Sequence, residues 1–100
     1  MSRVIRYDVG VDLARLRRGV QLSGERVSDG RYRVVGGDAE HWVDLDTPNH
    51  PRCDCGDHLW RDALCKHILL ALLYEGDSLV VEAVGDLVRQ LAQEERPHAA

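Results

Sequence analysis

The chain contains no phenylalanine, and tryptophan and tyrosine together supply only five of its 100 residues. A domain of this size folds with a thin margin, so a core this poor in rings gains from a staple, of which a structural metal is one kind. Long apolar runs are also missing. The longest, Ile68 to Tyr74, is seven residues, far short of the roughly 20 needed to span a bilayer, so no membrane association is expected. The start, Met1-Ser2-Arg3-Val4-Ile5-Arg6-Tyr7-Asp8, has no apolar h-region, and a secretory signal is not expected. Cysteine is absent outside residues 53–65, and three thiols cannot all pair within one chain. The expected setting is cytoplasmic and reducing, where clustered cysteines more often bind metal than form disulfides.

Positive charge is scarce overall, with a net charge of −4, but it is unevenly placed. Residues 1–33 hold eight arginines against four acids, whereas residues 34–67 hold seven acids against three bases, and Lys66 is the only lysine. A global attraction to nucleic acid is therefore excluded, and a local one is not.

The hydrophobic period divides the chain. Val4, Ile5, Tyr7 and Val9 suggest a short extended arm. Asp12 as N-cap, with Leu13, Leu16 and Val20 at helical spacing, predicts a helix over about 12–22, ended by Gly19 or Gly24. Three strand-like runs follow, at residues 25–28, 31–35 and 41–46. Asp29-Gly30 favours a tight type I′ hairpin turn between the first two. Alternation puts Arg31 and Arg33 on one strand face; in the third strand it separates Trp42 from Val43 and Leu45 without saying which side meets the core. Pro48 and Pro51 break the pattern. Ile68, Leu69, Leu72 and Leu73 then mark a helix ending near Gly76. Asp77 or Ser78 caps another, with Val80, Val84, Leu87, Val88 and Leu91 on its apolar stripe and Gly85 weakening it by about 1 kcal/mol. The stripe serves either as core against the sheet or as a partner-facing surface. The expected fold is α+β: a small domain with a three-stranded antiparallel β-meander, an N-terminal helix and two C-terminal helices. Its divisions are an arm and helix at 1–24, a core at 25–76, an amphipathic helix at 77–94 and a tail at 95–100.

All three cysteines lie in the stretch from Cys53 to His67, which reads C-x-C, nine residues, C-x-H. Structural zinc takes four thiolate or imidazole ligands in a closed tetrahedron. Cys53 and Cys55, two apart on an extended segment, point to one side. Cys65 and His67 are also two apart, an offset of about 200° in a regular helix; sharing an ion requires Cys65 just before the helix and His67 in its first turn. The helix terminus there favours the Cys65 thiolate. Three thiolates and one imidazole around Zn²⁺ carry a net −1, which Arg52, Arg61 and Lys66 are placed to offset. With no open coordination position the site is structural and not hydrolytic. Three buried cysteines of no special role, or a redox pair at the C-x-C, are the alternatives, and His58, Asp54 and Asp57 are competing ligands. His58 otherwise reads as a solvated loop residue, and His41, His50 and His98 as surface histidines.

This ligand pattern, with Cys65-Lys66-His67-Ile68-Leu69 closing it, resembles the SWIM-type zinc finger, whose signature is C-x-C, a variable spacer and C-x-H. Tyr32, Val34, Trp42 and Val43 resemble the family's hairpin before the first cysteine, so the likeness covers about residues 25–75. Gly56-Asp57-His58 stands where many members have Pro-Asp-aromatic, and Leu64 where proline often precedes the third cysteine. The resemblance implies one structural Zn²⁺ on Cys53, Cys55, Cys65 and His67. It further implies a non-catalytic module that contacts DNA, protein or both, an adaptor beside DNA-remodelling or recombination machinery. Its protein partner would be of the ATPase or recombinase kind, with no small-molecule substrate. The residues expected to meet nucleic acid are Arg15, Arg17, Arg18, Arg31, Arg33, Arg61 and Lys66. The competing function is a zinc- or redox-responsive sensor, and nothing fixes Asp44, Asp46, Asp54 and Asp57 as the acid–base pair of an enzyme.

Overall fold

A computed structural model describes residues 10–36, 39–46, 51–61 and 63–94. The N-terminal arm, the Thr47-to-His50 break, His98 and the tail lie outside them. The described elements run α1 (Leu13–Gly19), β1 (Ser23–Ser28), β2 (Arg31–Gly36), β3 (Ala39–Asp44), β4 (Arg52–Cys53), α2 (Gly56–Arg61), α3 (Lys66–Tyr74) and α4 (Ser78–Glu94).

The fold class is α+β, as expected, but the sheet has four strands in the order β1-β2-β3-β4, all antiparallel. The added strand is two residues long and pairs Cys53 with Val43 and Arg52 with Asp44, too short to show a period. The added helix, α2, escapes a periodicity search for another reason. Its only large apolar side chains, Leu59 and Trp60, are 66% and 88% exposed, so it has no stripe facing a core.

The β1–β2 hairpin closes over Asp29-Gly30, with Gly30 at φ 76° and a register shift between Arg26 and Ser28. Tyr32, Val34, Val43 and Leu45 point inward and are buried; Trp42 takes the solvent side with Arg31 and Arg33. Asp12 caps α1, its Oδ1 accepting the Arg15 N–H at 3.0 Å. The helix stops at Gly19, where an added Cβ would lie 2.6 Å from the Lys66 carbonyl oxygen. Glycine thus lets α1 lie directly on the first turn of α3.

Helix α3 is the centre of the molecule. His67 to Leu72 are all buried, because β2, β3 and β4 lie against it together with α1 and α4. A helix that is apolar all round belongs in such a place. It ends in a Schellman motif: the N–H groups of Gly76 (φ 77°) and Asp77 donate to the carbonyls of Leu73 and Leu72, each at 3.0 Å. Asp77 then caps α4 by accepting the Leu79 and Val80 N–H groups at 3.1 Å. On α4, Val80, Ala83 and Leu87 are buried while Val84 and Leu91 are partly covered. The stripe is therefore core, packed mainly on α1 and α3, and Val88 departs from expectation by facing solvent.

Candidate metal centre

Two short chain segments, Cys53 to Cys55 and Cys65 to His67, bring four donors to one point. Cys53 ends β4, held to β3 opposite Val43. Cys55 immediately precedes α2 and its carbonyl accepts the Leu59 N–H at 3.0 Å. Cys65 is the N-cap of α3, with φ −71° and ψ 168°, its carbonyl accepting the Leu69 N–H at 2.9 Å. His67 follows in the first turn. Two of the three thiols thus sit at helix starts, where N–H groups and the helix dipole favour a thiolate.

The donor atoms of Cys53, Cys55, Cys65 and His67 all lie within 4.8 Å of one another, whereas zinc bonds of about 2.0–2.3 Å hold tetrahedral ligands roughly 3.3–3.8 Å apart. All four residues are buried and none of the cysteines is in a disulfide. His67 Nδ1 is buried without a hydrogen-bond partner, a cost of about 1–3 kcal/mol that metal coordination of the ring is suited to offset. The donor set fits one structural zinc. Without metal the thiols share protons unevenly. Cys65 is held well below the ordinary thiol range, first by the hydrogen bond from Cys53 and then by His67, with the Ile68 N–H adding to this although no cap hydrogen bond closes. Cys53 is pushed up by donating to Cys65 and by burial, and Cys55 by burial above all.

Around the ligands stand residues whose roles differ from those the sequence suggested. The His41 ring packs on His67 with centroids 4.3 Å apart, and its Nδ1–H donates to Asp54 Oδ1 at 2.8 Å. The Trp42 N–H reaches the same oxygen at 3.2 Å. Asp54 thereby pins the C-x-C turn to β3; it braces the site and is not a member of the four-donor cluster. His41 is half-buried against the site, no plain surface histidine. His58 is likewise neither ligand nor solvated: it is buried, and its Nδ1–H donates to the Ala63 carbonyl at 2.9 Å, fastening the loop before Cys65. The signal for His41 was its place on the inward side of β3, which only the pairing with β4 makes visible.

Asp57 ties this loop to the N-terminal helix. It accepts Arg15 Nε at 2.6 Å and Nη2 at 3.0 Å, and Arg61 Nη1 at 3.1 Å. Arg15 first, against some desolvation, and then Arg61 hold the Asp57 carboxyl down to about 2. A depressed carboxylate stabilises the fold above its unfolded value, near pH 3.9, and that contribution is lost as pH falls toward about 2. A double-mutant cycle with Arg15→Met and Asp57→Asn, read by urea unfolding of the zinc-loaded protein at neutral pH, should give a coupling of about 1 kcal/mol, discounted for partial solvent exposure. A coupling near zero would leave the contact without energetic weight.

The cations expected to meet nucleic acid do not form one face. Arg17 pairs with Glu94 at 3.1 Å, and Arg33 with Glu25 at 2.6 Å, on the solvent side of the sheet. Arg31 shares that side without an ion pair among the described residues. Arg18, Arg61 and Lys66 instead line a cleft of about 600 Å³ beside the metal ligands.

Residues 41–76 match the family model of the SWIM zinc finger. The matched span takes in most of β3 with β4, α2 and α3, and starts later than the resemblance suggested, leaving β1 and β2 outside it. Neither the curated proteins nor the solved structures yield a significant match. With a buried Cys₃His cluster in the C-x-C and C-x-H arrangement at the centre of the matched segment, the chain carries a SWIM-type zinc finger.

Proposed function

We propose that this zinc-binding protein is a non-catalytic module that works by contact with DNA, with protein, or with both, as an adaptor for DNA-remodelling or recombination machinery. The observation that carries this reading is the closed donor set: four buried ligands satisfy one ion and leave no coordination position for a reacting water. Two carboxylates near the metal have structural duties, Asp54 toward β3 and Asp57 toward Arg15 and Arg61. The work then falls to the surface. Burial of all three thiols also weighs against a redox sensor, since oxidation follows exposure of a thiolate.

The test is retention of the zinc-loaded chain on single-stranded and duplex DNA in mobility shifts. Binding at about 50 mM salt that weakens steeply by about 200 mM is expected from a few phosphate contacts. Arg18→Glu should weaken it, whereas Arg17→Glu, which removes an arginine already paired with Glu94, should matter less. No retention at low salt removes DNA. The protein arm then rests on co-purification of a partner from the native host that is lost when the zinc ligands are replaced. Failure of both would end the adaptor reading.

A further inference from the structure

The cleft beside the zinc ligands combines features that structural duty does not explain. Trp60 lies on its wall with 88% of its surface exposed, although an indole buried in a core would remove a large apolar area from water. Leu59 beside it is also outside the core. The same cleft is lined by Arg18, from the last turn of α1, and Lys66, from the first turn of α3. The Gly19 contact with the Lys66 backbone brings these two turns together. Among the described residues neither Arg18 nor Lys66 has an ion pair. The acid in the lining, Asp57, is already engaged by Arg15 and Arg61. A zinc-loaded Cys₃His centre carries −1, which one of the cations offsets. Positive charge therefore remains in the cleft of a chain whose net charge is −4.

From this juxtaposition we infer that the cleft binds a segment of single-stranded nucleic acid, one base stacking on Trp60 and the adjoining phosphate meeting Arg18 and Lys66. The inference rests on the nucleic-acid arm of the function proposed above. An exposed ring beside cations is the arrangement that holds unpaired bases without reading their sequence. Bases in a duplex are stacked on one another and offer no free face to an indole, so the preference is for single strands. The outer sheet face is a poorer candidate, because Arg33 there faces Glu25 and Glu40.

The experiment uses the full zinc-loaded chain with Trp42→Phe, which leaves Trp60 as its one indole, titrated with an oligothymidylate of about twelve nucleotides at low salt. Quenching of Trp60 emission is expected on binding. Trp60→Ala should weaken affinity on the order of ten- to a hundredfold with zinc content and circular dichroism unchanged, because the side chain is outside the core. Arg18→Glu with Lys66→Glu should weaken binding and flatten its salt dependence. Should that pair fail to load zinc, the Trp60→Ala result decides. Oligothymidylate that binds without quenching and with equal affinity to Trp60→Ala overturns the cleft while leaving the nucleic-acid reading in place. Tighter binding to a blunt duplex with Trp60 silent does the same. No binding to either form overturns both. An oligoglutamate peptide that quenches Trp60 where the oligothymidylate does not would give the cleft to an acidic protein segment and overturn the inference.

Discussion

Removal of zinc is expected to unfold the protein. Elemental analysis of the reduced, purified chain should give one zinc per molecule, and a strong chelator should collapse its helical circular dichroism, with recovery on adding zinc back. Structural zinc contributes about 10–16 kcal/mol in finger peptides, against a total stability of about 5–15 kcal/mol for a typical domain. The dependence follows from where the ligands sit. Cys65 and His67 begin the central helix α3, Cys53 ends the edge strand β4, and Cys55 precedes α2. Without the ion, three thiols and an imidazole nitrogen lacking a partner stay buried in their place. Cys65→Ser should be the most damaging single change, since Cys65 is fully buried and opens α3. Acid should act in the same direction as the chelator. Cys53 and Cys55 have raised affinities for protons that zinc must displace, so chelator resistance should fall as pH falls. A metal-free chain with an unchanged cooperative transition would refute the structural role.

Leu16→Ala is expected to cost about 2–5 kcal/mol, measured as a lower urea midpoint at unchanged slope in the zinc-loaded protein. Leu16 is completely buried, on a helix that packs on α3 and α4 yet lies outside the residues matching the family model. If α1 were a mere appendage, the substitution would alter stability by no more than a few tenths of a kcal/mol, as surface changes do. A full cavity cost would show that α1, α3 and α4 share one core with the zinc site. Part of the loss should appear as weaker zinc retention, because α1 rests on the turn that holds Cys65 and His67.

The ligand set, the entry of α3 and the caps of α1 and α4 were legible because each depends on residues a few positions apart. Asp12, Asp77, Gly76 and the C-x-H pair carry their geometry locally, and the structure places each as its chemistry requires. Helix α2 was not legible: Gly56–Arg61 has no apolar face, and it is anchored by Asp57 reaching an arginine 42 residues away. The fourth strand was hidden because two residues have no period.

By itself the sequence marked Cys53, Cys55, Cys65 and His67 as one set of zinc-type ligands, because their residue types and spacing suit a closed tetrahedral site. It likewise determined which segments are apolar. Only the tertiary structure decided what surrounds the ion and what is left for a partner. Packing between distant segments buries α3 on both sides, sets His41 on His67 and fastens His58 to the Ala63 carbonyl. It also sorts the arginines, pairing Arg15, Arg17 and Arg33 with acids while leaving Arg18 beside Lys66. Charge can be counted along a chain, but whether it is neutralised depends on which acid the fold brings within hydrogen-bonding reach.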